Sequence, residues 1–271
     1  MDRAEPRRCR FVNKIIADEP AIDNELTRLT PPITGYASEP LVTLEEACEP
    51  LEVLIKKLQN YVAMAKYYSQ NPADNLSQDE SAAIYLYTLE WSPSKNSLYI
   101  MLNRTLRAPD RSELTLKPWF KYLKLFLTAL AKLPILSTSN RQPIVYRGIK
   151  MNIDNAPYTP GSFITWWAFS SCTTSISLLQ SDKFLGTTGD RTIFNIETTT
   201  GKNISLHSHF GREDEVLLMP GTYMEVISLV NPAPQLHIIH LREKVPPVCL
   251  LEPPFEGTSV RLPHMYINIL V

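Results

Sequence analysis

Residues 119–134 read WFKYLKLFLTALAKLP, and the character of the sequence changes at the end of this stretch. Its apolar residues recur at steps of three and four, which predicts a helix with one buried face. Pro134 ends that helix, because proline has no amide proton to donate and the residue before it avoids helical backbone. The same spacing runs back to Leu41, with Ser77 and Glu80 forming a capping box at the start of another helix. The most regular helix face in this half consists of Leu51, Leu54, Ile55, Leu58, Tyr61, Val62 and Ala65.

After Pro134 the sequence consists of short runs rich in β-branched and aromatic residues, separated by proline, glycine and asparagine. This pattern predicts strands at regular spacing. The runs are PIVYRGI (143–149), SFITWWAFSS (162–171), TIFNIET (192–198), VLLMP (216–220), TYMEVISLV (222–230) and LHIIHLR (236–242). We therefore predict an α+β fold, in which a helical subdomain at 41–134 precedes a β-rich core at 135–271. Residues 1–40, polar at first and then rich in proline, are predicted to form an N-terminal tail or extension.

The composition limits the classes of protein to which the chain can belong. With 271 residues, 44% of them apolar, the chain is long enough for one large domain or two small ones with a buried core. Its formal net charge of −1 gives no electrostatic footprint for nucleic acid. No apolar run approaches the roughly 18 to 20 residues that span a bilayer. The basic start MDRAEPRRCRF lacks the apolar region of a secretory signal, so we expect a cytoplasmic protein without a membrane span.

Several common sequence signatures are missing. The sequence contains neither the GxGxxG turn nor the GxxxxGK[ST] loop of the common nucleotide-binding folds, and it has no HExxH or GxSxG motif. A nucleotide bound in another way is still possible. The four cysteines form no CxxC pair and no Cys/His cluster at zinc spacing, so we expect reduced thiols and no metal. They are Cys9, Cys48, Cys172 and Cys249.

Three short segments of the second half contain residues that suit catalysis. In the first, Arg147 lies on an apolar strand, and a buried arginine needs an anion, either a phosphate or a carboxylate in an ordinary salt bridge. In the second, residues 166–175, aromatic side chains run into a cluster of hydroxyls, which is also typical of a core strand ending in a turn. In the third, Glu213 and Glu215 lead into an apolar strand, where side chains two residues apart share one side about 7 Å apart. Acids at a strand start are also typical of a solvated edge.

Together these segments resemble the Arg–Ser–Glu signature of arginine-specific mono-ADP-ribosyltransferases. The signature is carried by YRG (146–148), by Phe169-x-Ser171-x-Thr173 and by Glu213-x-Glu215 followed by Val-Leu-Leu. The resemblance covers about residues 40–255 and includes DESAAIYLYTLEW, LYIMLNRTLR and FLGTTGDRTIF. It implies a mixed β-sandwich core of two packed sheets that binds NAD without a Rossmann unit. It also implies transfer of a single ADP-ribose to an arginine-bearing target protein, with NAD as co-substrate and nicotinamide as leaving group.

The resemblance assigns a role to each residue of the signature. Arg147 would bind the NAD phosphates, and Gly148 would present its backbone to the nicotinamide amide. Ser171 would contact the nicotinamide ribose and orient Glu215, whose carboxylate would bind the ribose 2′-hydroxyl and stabilise the oxocarbenium-like state. Glu213 would bind the acceptor guanidinium; relatives that modify asparagine have glutamine there, whereas this sequence has glutamate.

Further residues correspond to the family less closely. Phe184 falls where the family often packs an aromatic ring on nicotinamide, although it also suits a loop anchor. Ser208 is predicted to contact NAD, and Phe210 to help bind the target protein. His207 and His209 form an H-x-H pair, which we interpret as a pair on a surface strand rather than a metal site because no third ligand is nearby in sequence.

Two alternatives to the transferase hypothesis stay open. An NAD glycohydrolase needs the same Arg147, Ser171 and Glu215 but uses water as the acceptor. A catalytically silent module would keep the fold and use its helical half to bind a partner.

The middle motif departs from the Ser-Thr-Ser often found in the family. This chain has Ser171-Cys172-Thr173 there, so the first serine is retained.

Overall fold

The computed structural model describes residues 12–13 (backbone only), 30–136, 141–153, 156–181, 184–211 and 214–255. Its helices are α1 (Leu44–Cys48), α2 (Leu58–Tyr68), α3 (Gln78–Thr88), α4 (Leu98–Arg107), α5 (Glu113–Leu116), α6 (Phe120–Lys132) and α7 (Ile176–Gln180). Short 3-10 turns occur at Glu49–Leu51, Ser94–Asn96, Lys117–Trp119 and Ala156–Tyr158. None of the helices in these ranges is both long and apolar enough to cross a membrane.

The helical half follows the sequence closely, with one exception. The capping box at Ser77 is confirmed, since its side chain accepts from the amide of Glu80 while the Glu80 carboxylate accepts from the amide of Ser77. Helix α6 ends at Lys132, with the extended residue Leu133 between it and Pro134, so the predicted stop at Pro134 is confirmed. The predicted continuous face from residue 51 to residue 65 is wrong in its first part. Pro50 lies in a 3-10 turn, and Lys57 has a φ of 63°, so the helix begins only at Leu58.

The strands form one mixed sheet, and all of them except β1 lie in the second half of the chain. They are β1 (Val12–Asn13), β2 (Ile144–Ile149), β3 (Phe163–Trp166), β4 (Ser170–Thr173), β5 (Arg191–Glu197), β6 (Lys202–Asn203), β7 (Glu215–Leu218), β8 (Thr222–Ala233) and β9 (Leu236–Glu243). The run 162–171, predicted as one strand, is divided into β3 and β4. The side chains between these strands (167–169) leave the sheet and pack into the helical core, a long-range effect that the local pattern does not contain.

The order of the strands forces the sheet to fold over on itself. The order is β3-β8-β9-β5-β2-β4-β7-β6, with β1 beside β2, so five interstrand steps separate β3 from β4. These steps would measure about 24 Å in a flat sheet. Trp166 and Ser170 are only four residues apart, a chain length of at most about 14 Å. Leu218 and Thr222 are also four residues apart, although β7 and β8 are five steps apart in the sheet, so these two strands must lie close together in different layers.

The sheet therefore forms two layers around an apolar cluster that includes Ile164, Phe194, Val216 and Ile239. The predicted α+β class, with a helical region before a mixed β core, is confirmed. The two layers, predicted as two packed sheets, are joined by hydrogen bonds where Tyr146 of β2 pairs with Thr173 of β4.

Residues near both ends of the described chain pack against the helical core. Within the predicted N-terminal extension, Ile33 and Tyr36 are fully buried, and Val12–Asn13 pairs in parallel with Gly148–Ile149. Ile33 also forms a bridge to Leu251. The ammonium group of Lys124 on α6 donates to the carbonyl oxygens of Ala37 and Pro254, at 2.6 Å each. This side chain thus joins both ends to one helix.

Candidate active site

Strand β2 directs Arg147 and Gly148 to opposite faces of the sheet. Arg147 lies on the face between the two layers, together with Val145 and Ile149 of the apolar cluster. Its side chain is buried, and Nη1 donates to the carbonyl oxygen of Ser171 at 2.7 Å. This bond crosses the opening where β2 and β4 diverge, and there Val12–Asn13 pairs with the edge of β2 at Gly148–Ile149. Within the described residues of β2 and β4, Tyr146 and Thr173 are the only assigned pair, so the two strands separate beyond it.

Gly148 faces the loop that follows helix α7. A Cβ at this position would lie 3.1 Å from Cδ2 of Leu185, which is closer than ordinary carbon contacts. The close approach that requires glycine here is thus made by a leucine of the chain itself. Phe184, Tyr146 and Ile193 pack in the same small cluster, so Phe184 lies on the Gly148 side of the sheet, and its contact with nicotinamide stays a prediction.

Ser171 and Glu215 share the face on which Gly148 lies. Thr173 pairs with Glu215, and Ser171 pairs with Leu217, so all four side chains point to one side of β4 and β7. Ser171 is therefore a diagonal neighbour of Glu215. The carboxylate is fully buried, and its Oε2 accepts a hydrogen bond from Ser208 Oγ at 2.8 Å. The sequence assigned the orienting hydroxyl to Ser171, whereas this bond comes from Ser208, which was predicted only as an NAD contact.

The loop that carries Ser208 also corrects the prediction for the H-x-H pair. His207 and His209 lie outside the strands, and His207 is buried. Their rings contact helix α3, through Ser81 Oγ at 2.9 Å and Tyr85 Oη at 2.6 Å. Among the residues that the structure describes, no group of His, Cys, Asp and Glu side chains is arranged to hold a metal ion.

Of the acid motif Glu213-Asp214-Glu215, the structure describes Asp214 and Glu215. Glu213 lies outside the described residues, so its predicted contact with an acceptor stays a prediction. Asp214 has a φ of 46°, in the left-handed region, and its carbonyl accepts from the amide of Thr174 at 3.4 Å. The chain therefore turns sharply just before Glu215 enters β7.

A small cavity lies on the inner side of the sheet opening. It measures about 50 Å³ and is lined by Arg107, Arg147, Ser170 and the rings of Trp166 and Trp167. Sequence reasoning missed Arg107, although it ends the LYIMLNRTLR stretch that contributes to the resemblance. Helix α4 is fixed here by Asn103, whose amide group donates to the carbonyl of Phe169 and accepts from the Phe169 amide, at 3.2 Å each.

Comparison with known proteins identifies the family. The model of the family described as NAD:arginine ADP-ribosyltransferase matches residues 38–245, well over half of the chain. The chain belongs to this family.

Two individual proteins are similar in sequence to parts of this chain. Mav, a candidate NAD(+)–arginine ADP-ribosyltransferase of Mycobacterium avium (strain 104), is 35% identical over 118 residues, which cover 43% of this chain and 13% of Mav. The rabbit GPI-linked NAD(P)(+)–arginine ADP-ribosyltransferase 1 is 26% identical over 165 residues, covering 60% of this chain and 47% of the rabbit protein. The chain thus spans less than half the length of either relative.

A solved transferase structure has the same fold. The eucaryotic mono-ADP-ribosyltransferase ART2.2, in a mutant form in complex with NADH, superimposes with a TM-score of 0.52 and 21% identity. The match covers 76% of this chain and 85% of that one.

The thiol in the middle motif of this family member is not suited to nucleophilic attack. Cys172 is fully buried between the layers, opposite in direction to Ser171. Burial raises the pKa of its thiol to about 12, with the nearby Glu215 carboxylate adding to the rise and the Arg147 guanidinium opposing it. A protonated thiol is a poor nucleophile, so Cys172 serves as a small apolar residue here.

Proposed function

We propose that the chain transfers a single ADP-ribose from NAD to arginine side chains of target proteins and releases nicotinamide. The observation that carries this proposal is the Glu215 carboxylate, which is buried, accepts a hydrogen bond from Ser208 and shares a sheet face with Gly148 and Ser171. A fixed carboxylate in a site shielded from water is suited to stabilise positive charge that develops on a sugar ring. The family match supports the same reaction.

We propose that NAD binds at the opening between β2 and β4, which Val12–Asn13 borders on the side of β2. The two arginines of the cavity, Arg107 and Arg147, suit the diphosphate, because guanidinium groups donate parallel hydrogen bonds to phosphate oxygens. The nicotinamide and its ribose would then lie on the other side of the opening, beside Gly148, Phe184 and Ser171. The NADH complex of the similarly folded ART2.2 supports a nicotinamide dinucleotide as the ligand class.

The proposed reaction breaks the bond between the nicotinamide nitrogen and ribose C1′. The bonding electrons leave with nicotinamide, which becomes neutral, and C1′ becomes oxocarbenium-like, as in glycoside cleavage. Glu215 would accept a hydrogen bond from the ribose 2′-hydroxyl and stabilise this charge. A guanidinium nitrogen of the acceptor then bonds to C1′ and gives up one proton, which Glu213 would accept and pass to water.

We propose that Glu213 binds the acceptor arginine. The proposal rests on its place two residues before Glu215 and on chemistry, since a carboxylate pairs with a guanidinium through two parallel hydrogen bonds. Phe210, two residues after Ser208, would contribute to binding of the target protein around that arginine.

We also propose that residues 40–255, which take in the helical part at 41–134 and most of the β core at 135–271, carry one catalytic domain, onto which Ile33 and Tyr36 of the preceding segment pack. The packing supports this, because Trp167, Phe169 and Leu217 of the β half are members of the helical core. Helix α4 contributes Arg107 to the cavity beside Arg147. Neither half would therefore form the NAD site alone.

The test is mass spectrometry of an arginine-rich acceptor protein incubated with NAD and with wild-type protein or Glu215→Gln. We expect one added ADP-ribose per modified arginine, and a loss of at least about 100-fold in the variant, which keeps the shape of the side chain. Glu225→Gln is the matched control: it changes a strand carboxylate that pairs with Lys244 at 3.0 Å, away from the site.

Nicotinamide release in the same samples separates the alternatives. Release without modified arginine would favour an NAD glycohydrolase, and release that survives in Glu213→Gln while transfer is lost would support the role of Glu213. Absence of both release and NAD binding would overturn the proposal and favour a silent binding module.

A further inference from the structure

The segment His207-Ser208-His209 makes contacts in two opposite directions. Both histidines contact helix α3, whereas Ser208 between them donates to Glu215 Oε2 at 2.8 Å. His207 Nδ1 lies 2.9 Å from Ser81 Oγ, and its Nε2 lies 3.2 Å from Asp74 Oδ2. Helix α3 is thus separated from the Glu215 carboxylate by a single short segment.

The contacts on the helix side form one stripe. Ser81, Tyr85 and Thr88 follow each other at steps of four and three residues, so their side chains share one face of α3. Tyr85 Oη lies 2.6 Å from His209 Nδ1, and Thr88 Oγ1 accepts from the backbone amide of His209 at 2.8 Å. The helix is buried from Glu80 to Thr88, so this stripe is a rigid base for the segment.

The hydrogen bonds of the two key hydroxyls have defined directions. Thr88 donates its proton to the carbonyl of Tyr85 at 2.8 Å, which leaves a lone pair for the amide of His209. Ser208 Oγ accepts from the amide of Phe210 at 3.2 Å, which leaves its proton for Glu215. A shift of the segment would therefore alter the bond to the carboxylate directly.

We propose that Ser81, Tyr85 and Thr88 of helix α3 are positioning residues, which hold Ser208, and through it the Glu215 carboxylate, in the orientation needed for cleavage of NAD. The inference rests on the proposed function for its catalytic consequence, while its geometric part is independent of that function. The competing view is that these contacts only join the helical part to the β core.

A double-mutant cycle distinguishes the two views. Thr88→Val removes the acceptor of the His209 amide with little change of volume. Alone, it should lower kcat for nicotinamide release about tenfold, the effect of losing one well-formed hydrogen bond, and change KM for NAD less than about twofold. In a Ser208→Ala background it should lower kcat less than about twofold, because the connection to Glu215 is already broken.

Thr128→Val is the matched control for this change. Thr128 is also a fully buried threonine in a helix, and within the described part of the chain its hydroxyl has no hydrogen-bond partner. It should leave kcat within about twofold of wild type. Equal losses in both Thr→Val variants, or a tenfold loss that persists without Ser208, would overturn the proposal. If Thr88→Val does not fold, Tyr85→Phe tests the same stripe by removing the hydroxyl at His209 Nδ1.

Amide hydrogen exchange provides a readout that needs no activity. Exchange of the Phe210 amide, which donates to Ser208, should accelerate at least about tenfold in Thr88→Val and not in Thr128→Val. If wild-type protein neither releases nicotinamide nor binds NAD, the proposed function fails, and exchange alone decides whether α3 positions Ser208. Unchanged exchange at Phe210 would overturn the positioning role whatever the activity.

Discussion

A methyl group added at Gly148 tests how closely the loop after helix α7 packs against strand β2. The new Cβ in Gly148→Ala would lie 3.1 Å from Cδ2, 3.3 Å from Cδ1 and 3.5 Å from Cβ of Leu185. Carbon atoms in ordinary contact stay about 3.5 to 4.0 Å apart, so Leu185 must move by several tenths of an ångström. Leu185 is only 2% exposed, so this movement disturbs packed neighbours, including Phe184.

Two opposing effects determine how much Gly148→Ala changes the free energy of unfolding. Overpacking of a buried site costs about 1 to 3 kcal/mol. Replacing glycine by alanine restricts the unfolded chain and thereby stabilises the folded protein by about 0.4 to 1 kcal/mol. We expect a net loss of about 1 kcal/mol in the free energy of unfolding. Because Phe184 moves with its neighbour, we also expect KM for NAD to rise more than kcat falls.

Urea unfolding of single and double variants tests the reasoning. Leu185→Ala alone removes both clashing methyl groups and should cost about 2 to 5 kcal/mol. In that background, Gly148→Ala should be neutral or stabilising, because the space has been opened. A loss of the same size in both backgrounds, within about 0.5 kcal/mol, would show that Leu185 is not the group that requires glycine here.

Three further changes test other parts of the structure. Arg147→Lys keeps the positive charge but loses the fork of donors, so calorimetric titration should show NAD affinity at least about tenfold weaker; unchanged affinity would contradict the phosphate role. Glu80→Ala removes the Glu80 half of the α3 capping box and the 2.5 Å ion pair with Lys132, while Ser77 still caps the helix, so urea unfolding should show a loss of about 1 to 2 kcal/mol; a change under about 0.5 kcal/mol would refute it. The hydrogen bond and charge of Arg242 hold the pKa of Glu197 below its usual range, so the stabilisation is present near pH 7 and is lost as the pH falls through that lowered pKa. Glu197→Gln should therefore shift the urea midpoint more at pH 7 than at pH 3, and equal shifts would count against the pair.

Local patterns were sufficient for much of the fold. The capping box at Ser77 and the stop at Pro134 act within a few residues, so they are readable from sequence. Residues 167–169 are as apolar as the strands around them, and only the helical core that receives them takes them out of the sheet. A pattern of residue types cannot distinguish a place in the sheet from a place in the helical core.

The candidate site was predictable in its residues but not in its connections. Family resemblance predicts Arg147, Ser171 and Glu215 as site residues, and the strand register places Ser171 and Glu215 on one face of the sheet and Arg147 on the other, beside the same opening. The bond from Ser208 to Glu215 depends on a loop whose position is set by helix α3, more than a hundred residues earlier in the chain. The spacing of Ser81, Tyr85 and Thr88 was visible in the sequence, yet nothing local indicates what the stripe contacts.

The two bonds of Lys124 bear on how small a fragment can fold. Its ammonium group is mostly buried, and both carbonyls that it binds, those of Ala37 and Pro254, come from segments outside the helices and strands. A fragment starting at residue 41 would lose Ala37, and with it the buried side chains of Ile33 and Tyr36. Such a fragment would leave a charged group half-satisfied and an apolar surface open to water. We therefore expect limited proteolysis to yield a resistant piece that retains both residues 30–40 and residues 250–255, and expression of the shorter piece to give aggregated protein.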